Sequence, residues 1–218
     1  MHGLPDLPAA ILLASGFSKR FGEQNKLLFS FRGKPLARYT LELASAMDFS
    51  GGIFFVAACD EVAALASDLR NVNVIKNGAP EKGLRESVRL GVEAADTAYA
   101  ATKDAASVSD TCIESYLFFP CDQPFLDVAT VRLIIDERVK TGGMGCIVEP
   151  RYKGRPGDPC LFSRDFREEL LSLKEGETPR LIKSRHPEAL RGVEVLNPLV
   201  LEDIDDEESL ERLSKLVC

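Results

Sequence analysis

Residues 9–28 read AAILLASGFSKRFGEQNKLL, and this stretch decides how the rest of the chain is interpreted. Its first part, Ala9 to Ala14, is a short and continuously apolar run, which is typical of a strand buried in a parallel sheet. The run ends at Ser15 and Gly16, where small residues let the backbone turn sharply and approach a ligand. Because backbone N–H groups in such a turn form a concavity that binds anions, the sequence indicates an anion site here.

Two cations follow this turn. Arg20 can bind several phosphate oxygens through its guanidinium fork, and Lys26 can bind them as a point charge. An ordinary strand-to-helix loop with two solvated cations fits the composition equally well, because short motifs have many false positives. The spacing is neither that of a Walker loop nor that of GxGxxG. A triphosphate is the ligand that would account for both cations.

Apolar patterning predicts the fold around this loop. Apolar runs predict strands at 53–58, 72–75, 116–119 and 146–148, and helical spacing predicts helices at 35–47, 60–69, 82–95 and 128–139. Strands that alternate with helices predict an α/β fold with a mostly parallel sheet and right-handed crossovers. Ligands bind beyond the carboxyl ends of such strands. The loop after Ala14, the turn at 77–85 and Asp122 all fall there, so we expect them to share one site.

Composition restricts the class of protein. A chain of 218 residues fits a single α/β domain, and its net charge of −7 argues against the basic face that nucleic-acid binding needs. The six cysteines form no CxxC pair, which favours reduced thiols over a zinc site or a disulfide framework. Residues 1–8 lack a signal-peptide pattern, and 9–14 is too short to span a membrane. We therefore expect a cytoplasmic protein without membrane or nucleic-acid partners, in which polar residues 97–114 form a surface insertion.

A second motif, NGAPEKGLRESV, covers residues 77–88. A turn punctuated by glycine that leads into a helix suits recognition of an anion or a base at the helix N-terminus, with Gly83 and Ser87 as candidates. Ordinary turn chemistry explains the pattern equally well.

A third motif, FFPCDQP, covers residues 118–124. An aspartate at the end of an apolar strand is placed to hold Mg²⁺, which keeps several waters and takes one or two carboxylates plus substrate phosphates. The alternative is that Asp122 caps the helix predicted from Val128. Asp127 suits that capping role better by position, which favours Asp122 as a metal ligand.

A fourth motif, DIDDEESL, covers residues 203–210. Asp205 followed by Glu208 matches a capping box, which we favour as the opening of a C-terminal helix. A role for Asp203 or Asp205 as a second metal ligand remains open.

Residues 13–28 also resemble a known signature, LAAGxSxRMGxxKxLL. It belongs to the molybdenum-cofactor nucleotidyltransferases, the MobA-like NTP transferase family. The resemblance continues in a GxxxSLxxG element, matched by Gly83, Ser87 and Gly91, in the DQP of residues 122–124, and in a terminal DIDTPEDL matched at 203–210. It implies a three-layer, Rossmann-like nucleotidyltransferase fold with a mostly parallel central sheet, in a single domain over 1–218.

The resemblance also implies roles for particular residues. Arg20, Lys26 and Asp122 would be catalytic, and Asp122, with Asp205, would hold Mg²⁺. Residues 1–125 would bind the nucleotide and 126–218 the acceptor. The nucleotide would contact Leu13, Ala14, Ser15, Gly16, Ser18, Arg20, Lys26, Gly83 and Ser87.

The same resemblance implies a reaction. Ala14-Ser15 is closer to the Ala-Ala of cytidylyl members than to the Gly-Gly of guanylyl members, which favours transfer of CMP from CTP to molybdopterin, with a molybdenum hydroxylase as a partner. Asp158 departs from the His or Asn of the family, and residues 176–180 follow its Gly-Asp-x-Gly-x-Arg only loosely. Two alternatives therefore remain: a cytidylyltransferase for another alcohol or sugar phosphate, and a non-catalytic nucleotide- or pterin-binding chaperone.

Overall fold

The computed structural model of the chain describes residues 8–15, 25–103, 113–142 and 145–216. Ten strands lie in these ranges: β1 Ala9–Ala14, β2 Ser30–Phe31, β3 Lys34–Pro35, β4 Ile53–Ala57, β5 Val72–Lys76, β6 Ser115–Pro120, β7 Ile147–Tyr152, β8 Arg155–Pro156, β9 Cys160–Ser163 and β10 Leu190–Glu194. The same ranges hold seven α-helices: α1 Leu36–Ser45, α2 Asp60–Ala63, α3 Leu84–Lys103, α4 Val128–Lys140, α5 Arg167–Leu171, α6 Pro179–Arg185 and α7 Glu207–Ser214. None of these helices is long and apolar enough to cross a membrane.

One sheet organises the molecule. Its strand order is β10-β7-β9-β6-β1-β4-β5, and β8 pairs with β7 at the side. Strands β6, β1, β4 and β5 run parallel to one another, and β10 runs parallel to β7. Strand β9 runs antiparallel to both of its neighbours. The sheet is therefore mixed but mostly parallel, which confirms the predicted fold class.

The residues of β1 alternate between two hydrophobic cores, one on each face of the sheet. Ala10 and Leu12 belong to one core, which also contains buried residues of α1, α2 and α4. Ala9 and Ile11 belong to the other, which contains buried residues of α3, α5 and α6. Because successive side chains of a strand point to opposite faces, a continuously apolar strand needs helices on both sides. This gives the predicted three layers.

Helix α3 packs unusually close to the central strand. A Cβ atom built on Gly91 would lie 2.3 Å from Cγ2 of Ile11. Real Cβ atoms do not approach another heavy atom so closely, so only glycine fits between this helix and β1. Gly91, which the sequence presented as part of a nucleotide motif, is placed here as a packing residue.

Two sequence predictions about helices were wrong. Residues 97–103 belong to α3 rather than to a surface insertion, because the helix is held beyond residue 95 by Asp96. The Asp96 carboxylate accepts hydrogen bonds from Tyr116 Oη at 2.7 Å and Arg167 Nε at 2.6 Å. Residues 104–112 lie outside the described ranges. The helix predicted at 60–69 ends at Ala63 and continues as a 3₁₀ turn.

The C-terminal segment packs back toward the start of the chain. Ile204 and Leu213 share a small core with Phe31 and Leu36. The backbone N–H of Ile204 donates to the carbonyl of Asp122 at 3.0 Å. This bond places residues 203–205 beside the end of β6.

The cap of the C-terminal helix differs from the prediction. Asp206, not Asp205, is the N-cap of α7, and its Oδ1 accepts a hydrogen bond from the backbone N–H of Ser209 at 2.7 Å. In turn, the backbone N–H of Asp206 donates to Oγ of Ser209 at 3.1 Å. The capping box is therefore formed by Asp206 and Ser209 rather than by Asp205 and Glu208. The side chain of Asp205 is therefore available for another contact.

Candidate active site

The ends of β1 and β6 bring two of the predicted motifs together. The strands are parallel neighbours, and Leu13 pairs with Pro120 in their register. Ser15 and Asp122 each follow two residues later, so both lie at the carboxyl edge of the sheet. This is the edge at which parallel α/β sheets bind their ligands.

Lys26 joins the first motif to the third and fourth. Its ammonium nitrogen lies 2.6 Å from Oδ2 of Asp122 and 2.8 Å from Oδ1 of Asp205. The lysine is held in place because Leu27 beside it is buried and Asn25 caps the short 3₁₀ turn that contains both. Burial works to lower the pKa of Lys26, but its two carboxylate partners outweigh burial and raise the pKa. The side chain is therefore a fixed ammonium ion.

The two carboxylate oxygens of Asp122 differ. Oδ2 accepts the bond from Lys26, whereas Oδ1 is buried and accepts no hydrogen bond from any residue that the structure describes. Asp203 adds a third carboxylate nearby, held by Gln123 Nε2 at 2.7 Å. Burial, followed by the charge of Asp122, raises the pKa of Asp203 to about 6. The end of β6 is thus rich in carboxylate oxygens.

Ser87, which was predicted to take part in reading the nucleobase, belongs to a buried polar chain. Ser15 Oγ and Ser87 Oγ are hydrogen-bonded to each other, and Asn77 Nδ2 donates to Ser87 Oγ at 3.1 Å. Gly83 adopts φ +77°, a left-handed conformation that favours glycine, immediately before α3. No role was predicted for Asn77 from the sequence. Its place as a polar residue directly after an apolar strand is the feature that could have indicated one.

A cavity of about 420 Å³ opens beside these groups. Its lining from residues 1–125 includes Leu13, Ser15, Lys26, Leu84, Phe118 and Asp122. Its lining from residues 126–218 includes Asp158, Phe162, Thr178, Arg180 and Lys183. In the sequence, Asp158 stands out only because it replaces the His or Asn of the family. No role was predicted for Thr178, Arg180 or Lys183.

Not every predicted residue reaches this cavity. Ala14 is buried in the core, and Ser87 lies behind Ser15 rather than in the cavity wall. Gly16, Ser18 and Arg20 lie outside the described residues. Lys26, Asp122 and Asp205 are brought into direct contact.

The fold and the strand-end site define a class, the nucleotidyltransferases. The chain belongs to the MobA-like NTP transferase family, whose domain model matches residues 10–189. Among curated proteins, none matches the chain significantly.

Solved structures with low sequence identity share the fold over almost the whole chain. Rv0371c from Mycobacterium tuberculosis H37Rv is 21% identical with a TM-score of 0.72, over 98% of this chain and 100% of that one. Another structure of that protein is a complex with manganese, at 21% identity and a TM-score of 0.65, over 97% and 100%. A nucleotidyl transferase from Methanothermobacter is 20% identical with a TM-score of 0.73, over 96% of each chain. Molybdopterin-guanine dinucleotide biosynthesis protein A from Archaeoglobus fulgidus is 16% identical with a TM-score of 0.66, over 96% and 97%.

Proposed function

We propose that the protein transfers CMP from CTP to a phosphorylated acceptor, with a molybdopterin-type cofactor as the acceptor we favour. A phosphate oxygen of the acceptor attacks the α-phosphorus of CTP and forms the new P–O bond. The bond from the α-phosphorus to the bridging oxygen breaks, and pyrophosphate leaves with the electron pair. The reaction needs no protein nucleophile, so positioning and charge neutralisation carry the catalysis.

The observation that carries this proposal is the contact of Lys26 with Asp122 and Asp205 at the edge of the cavity. It puts a fixed positive charge and two carboxylates within a few ångströms of each other, where two parallel strands end. Phosphoryl-transfer sites use such charges to bind the phosphates and to neutralise the charge that develops on the leaving group. Lys26 acts on the phosphate oxygens in this proposal.

The residues present fit a divalent metal ion. Two carboxylates already converge on one cation, and Oδ1 of Asp122 is a buried acceptor without a donor in the described parts of the chain. The described residues contain no group of three or more side chains that could enclose a metal ion by themselves. Magnesium suits that arrangement, since it binds through one or two carboxylates plus substrate phosphates and waters. Asp122 and Asp205 would hold Mg²⁺, which when bound would supply a Lewis acid that neutralises negative charge on the triphosphate. The manganese complex of Rv0371c supports divalent metal binding on this fold.

The choice of CTP rests on the loop after β1. Ala14 and Ser15 resemble the Ala-Ala of cytidylyl members of the family. In this proposal Leu13, Ser15, Gly16, Ser18 and Arg20 wrap the nucleotide. Gly83 sets the turn into α3, and Ser87 acts through its hydrogen bond to Ser15.

The acceptor half consists of residues 126–218 in this proposal, and the nucleotide half of 1–125. The Archaeoglobus protein is described by its molybdopterin-guanine dinucleotide product, which supports a pterin acceptor for this fold. A cytoplasmic location and delivery of the product to a molybdenum hydroxylase are parts of the same proposal.

A pyrophosphate-release screen tests the proposal. Purified protein with Mg²⁺ is offered each nucleoside triphosphate with molybdopterin and with sugar and alditol phosphates. Release with CTP and molybdopterin supports it. Release with GTP but not CTP contradicts the donor, and release only with a sugar or alditol phosphate contradicts the acceptor. Binding of CTP without release from any acceptor would indicate the chaperone.

A further inference from the structure

The wall of the cavity that comes from residues 158–183 carries a cation that the proposed nucleotide chemistry does not use. Three described cations line the cavity. Lys26 is paired with Asp122, and Lys183 is paired with Glu149 at 2.8 Å. Arg180 makes no ion pair and no side-chain hydrogen bond with any described residue. Arg180 is therefore free to bind an anion in the cavity.

Asp158 is a carboxylate in the same wall of the cavity as Arg180. Two described carboxylates line the cavity, and Asp122 is paired with Lys26. Asp158 makes no hydrogen bond and no ion pair in the described part of the chain. Burial raises its pKa, and the nearby charges of Lys183 and Arg180 oppose that effect. Because Asp158 is partly buried and has therefore lost some of its contact with water, this position favours a ligand that donates hydrogen bonds.

The backbone around Asp158 is fixed. The N–H of Gly157 donates to the carbonyl of Pro150 at 2.9 Å. A Cβ atom on Gly157 would lie 2.4 Å from Cδ2 of Leu201, so the turn is packed directly against the segment before residues 203–205. The carboxylate is thus presented from a rigid turn, as a group that selects a ligand needs to be.

Part of the cavity lining is apolar and aromatic. Phe118 and Phe162 line the cavity and pack edge to face, with ring centroids 5.8 Å apart. Thr178 also lines the cavity, and although it precedes α6, its hydroxyl makes no capping bond to the described helix. The wall therefore offers a cation, a carboxylate, a hydroxyl and aromatic surface to one occupant.

We infer that Arg180 and Asp158 form the acceptor subsite: Arg180 binds the acceptor's phosphate, and Asp158 accepts hydrogen bonds from N–H or O–H groups on its body. This deepens the proposed function and rests on it. It predicts a phosphate ester whose body carries hydrogen-bond donors. A pterin supplies adjacent N–H donors and a sugar supplies hydroxyls, so both sources share this chemistry and the experiment separates them.

The experiment measures Michaelis constants for CTP and for each acceptor in wild type, Arg180→Ala, Arg180→Lys and Asp158→Asn. The acceptors are molybdopterin and glucose 1-phosphate. Arg180→Ala should raise the KM of the active acceptor about tenfold or more, because a charge-assisted bond is lost, while the KM of CTP stays unchanged. Arg180→Lys should restore part of the loss. Asp158→Asn should raise the KM of the acceptor whose donors it binds, and that acceptor identifies the source.

Arg185→Ala is the matched control for Arg180. It lies on the same helix, its guanidinium faces Glu169 and Glu177 at 3.8 Å, and it does not line the cavity. An increase in the KM of CTP in Arg180→Ala would overturn the inference, because Arg180 would then belong to the triphosphate site. Unchanged acceptor KM in both Arg180→Ala and Asp158→Asn would overturn it as well.

Calorimetric titration of the same acceptors without nucleotide separates this inference from the proposed function. Binding that is lost in Arg180→Ala, together with no pyrophosphate release from any triphosphate, would contradict the proposed function and support the subsite. Binding by Arg180→Ala that equals wild type, or no acceptor binding by wild type, would contradict the subsite even if CTP is consumed.

Discussion

The ammonium nitrogen of Lys26 lies 2.6 Å from Oδ2 of Asp122, although the two residues are 96 positions apart in the chain. The contact joins the segment after the first loop to the end of β6. A metal ion held by Asp122 and Asp205, as proposed, would therefore compete with Lys26 for the same carboxylates.

Replacing Lys26 with methionine should separate the effect of its ammonium on metal binding from its effect on turnover. Removing the ammonium should tighten Mn²⁺ binding in the absence of nucleotide by about fivefold, since a competing ion pair is lost. Turnover should nevertheless fall by about 10²- to 10³-fold, because the charge on the phosphates is no longer neutralised. Electron paramagnetic resonance of free Mn²⁺ and steady-state kinetics measure the two effects. Lys34→Met, which removes an ion pair to Glu42, is the control and should change neither.

Asp122→Ala should abolish metal binding and reduce turnover by at least about 10²-fold, while CTP still binds without metal. Calorimetry with Mn²⁺ and with CTP in the presence of a chelator measures these effects. Full turnover in the variant would contradict the metal assignment.

Asp127→Ala, in contrast, should lower stability and leave metal binding unchanged. Oδ1 of Asp127 accepts a hydrogen bond from the N–H of Thr130 at 2.7 Å and caps α4. Its loss should lower the free energy of unfolding by about 1 kcal/mol, measured in urea, and leave Mn²⁺ binding intact. Weaker Mn²⁺ binding in this variant would show that the two aspartates were assigned the wrong way round.

That Asp127 rather than Asp122 caps α4 could be predicted from the sequence, because a cap is a local contact that depends on spacing along the chain. The same reasoning failed at Asp205. Asp205 and Asp206 both precede a helix, and the spacing to Glu208 favoured the first. The choice depends on Lys26, whose side chain reaches Asp205 from a distant part of the chain.

Gly91→Ala should destabilise the protein, because the new methyl group would overlap the side chain of Ile11. We expect a loss of about 1–3 kcal/mol in the free energy of unfolding, the usual cost of overpacking a core. Urea denaturation measures it. Gly78→Ala is the control, because a Cβ there has nothing within 4 Å. Equal stability of the two variants would contradict the close packing of α3 on β1.

Ser15 and Ser87 should be energetically coupled. A double-mutant cycle with Ser15→Ala and Ser87→Ala should give a coupling energy of about 1 kcal/mol, since each single variant breaks the hydrogen bond between the two hydroxyls. Urea denaturation of the four proteins measures the cycle. Additive effects would show that the hydrogen bond between the serines contributes nothing to stability.

The fold was predictable because its signals are local: apolar runs for strands, helical spacing for helices, and their alternation for a parallel sheet. The extension of α3 to residue 103 was not, because Asp96 stabilises it through Tyr116 and Arg167 from other elements. Ser15 and Asp122 follow the ends of two strands, so their place at one edge of the sheet could be predicted. Arg180 and Asp158 have no ion-pair partner among the described residues, and a sequence does not show which charges are paired.

Transfer of CMP to the acceptor is tested by mass spectrometry of the products formed from CTP, Mg²⁺ and molybdopterin. We expect the acceptor to gain one cytidylyl group for each pyrophosphate released, and we expect neither product to form with Asp122→Ala. CTP that binds but stays intact, or a guanylyl group transferred from GTP under conditions in which CTP does not react, would contradict it.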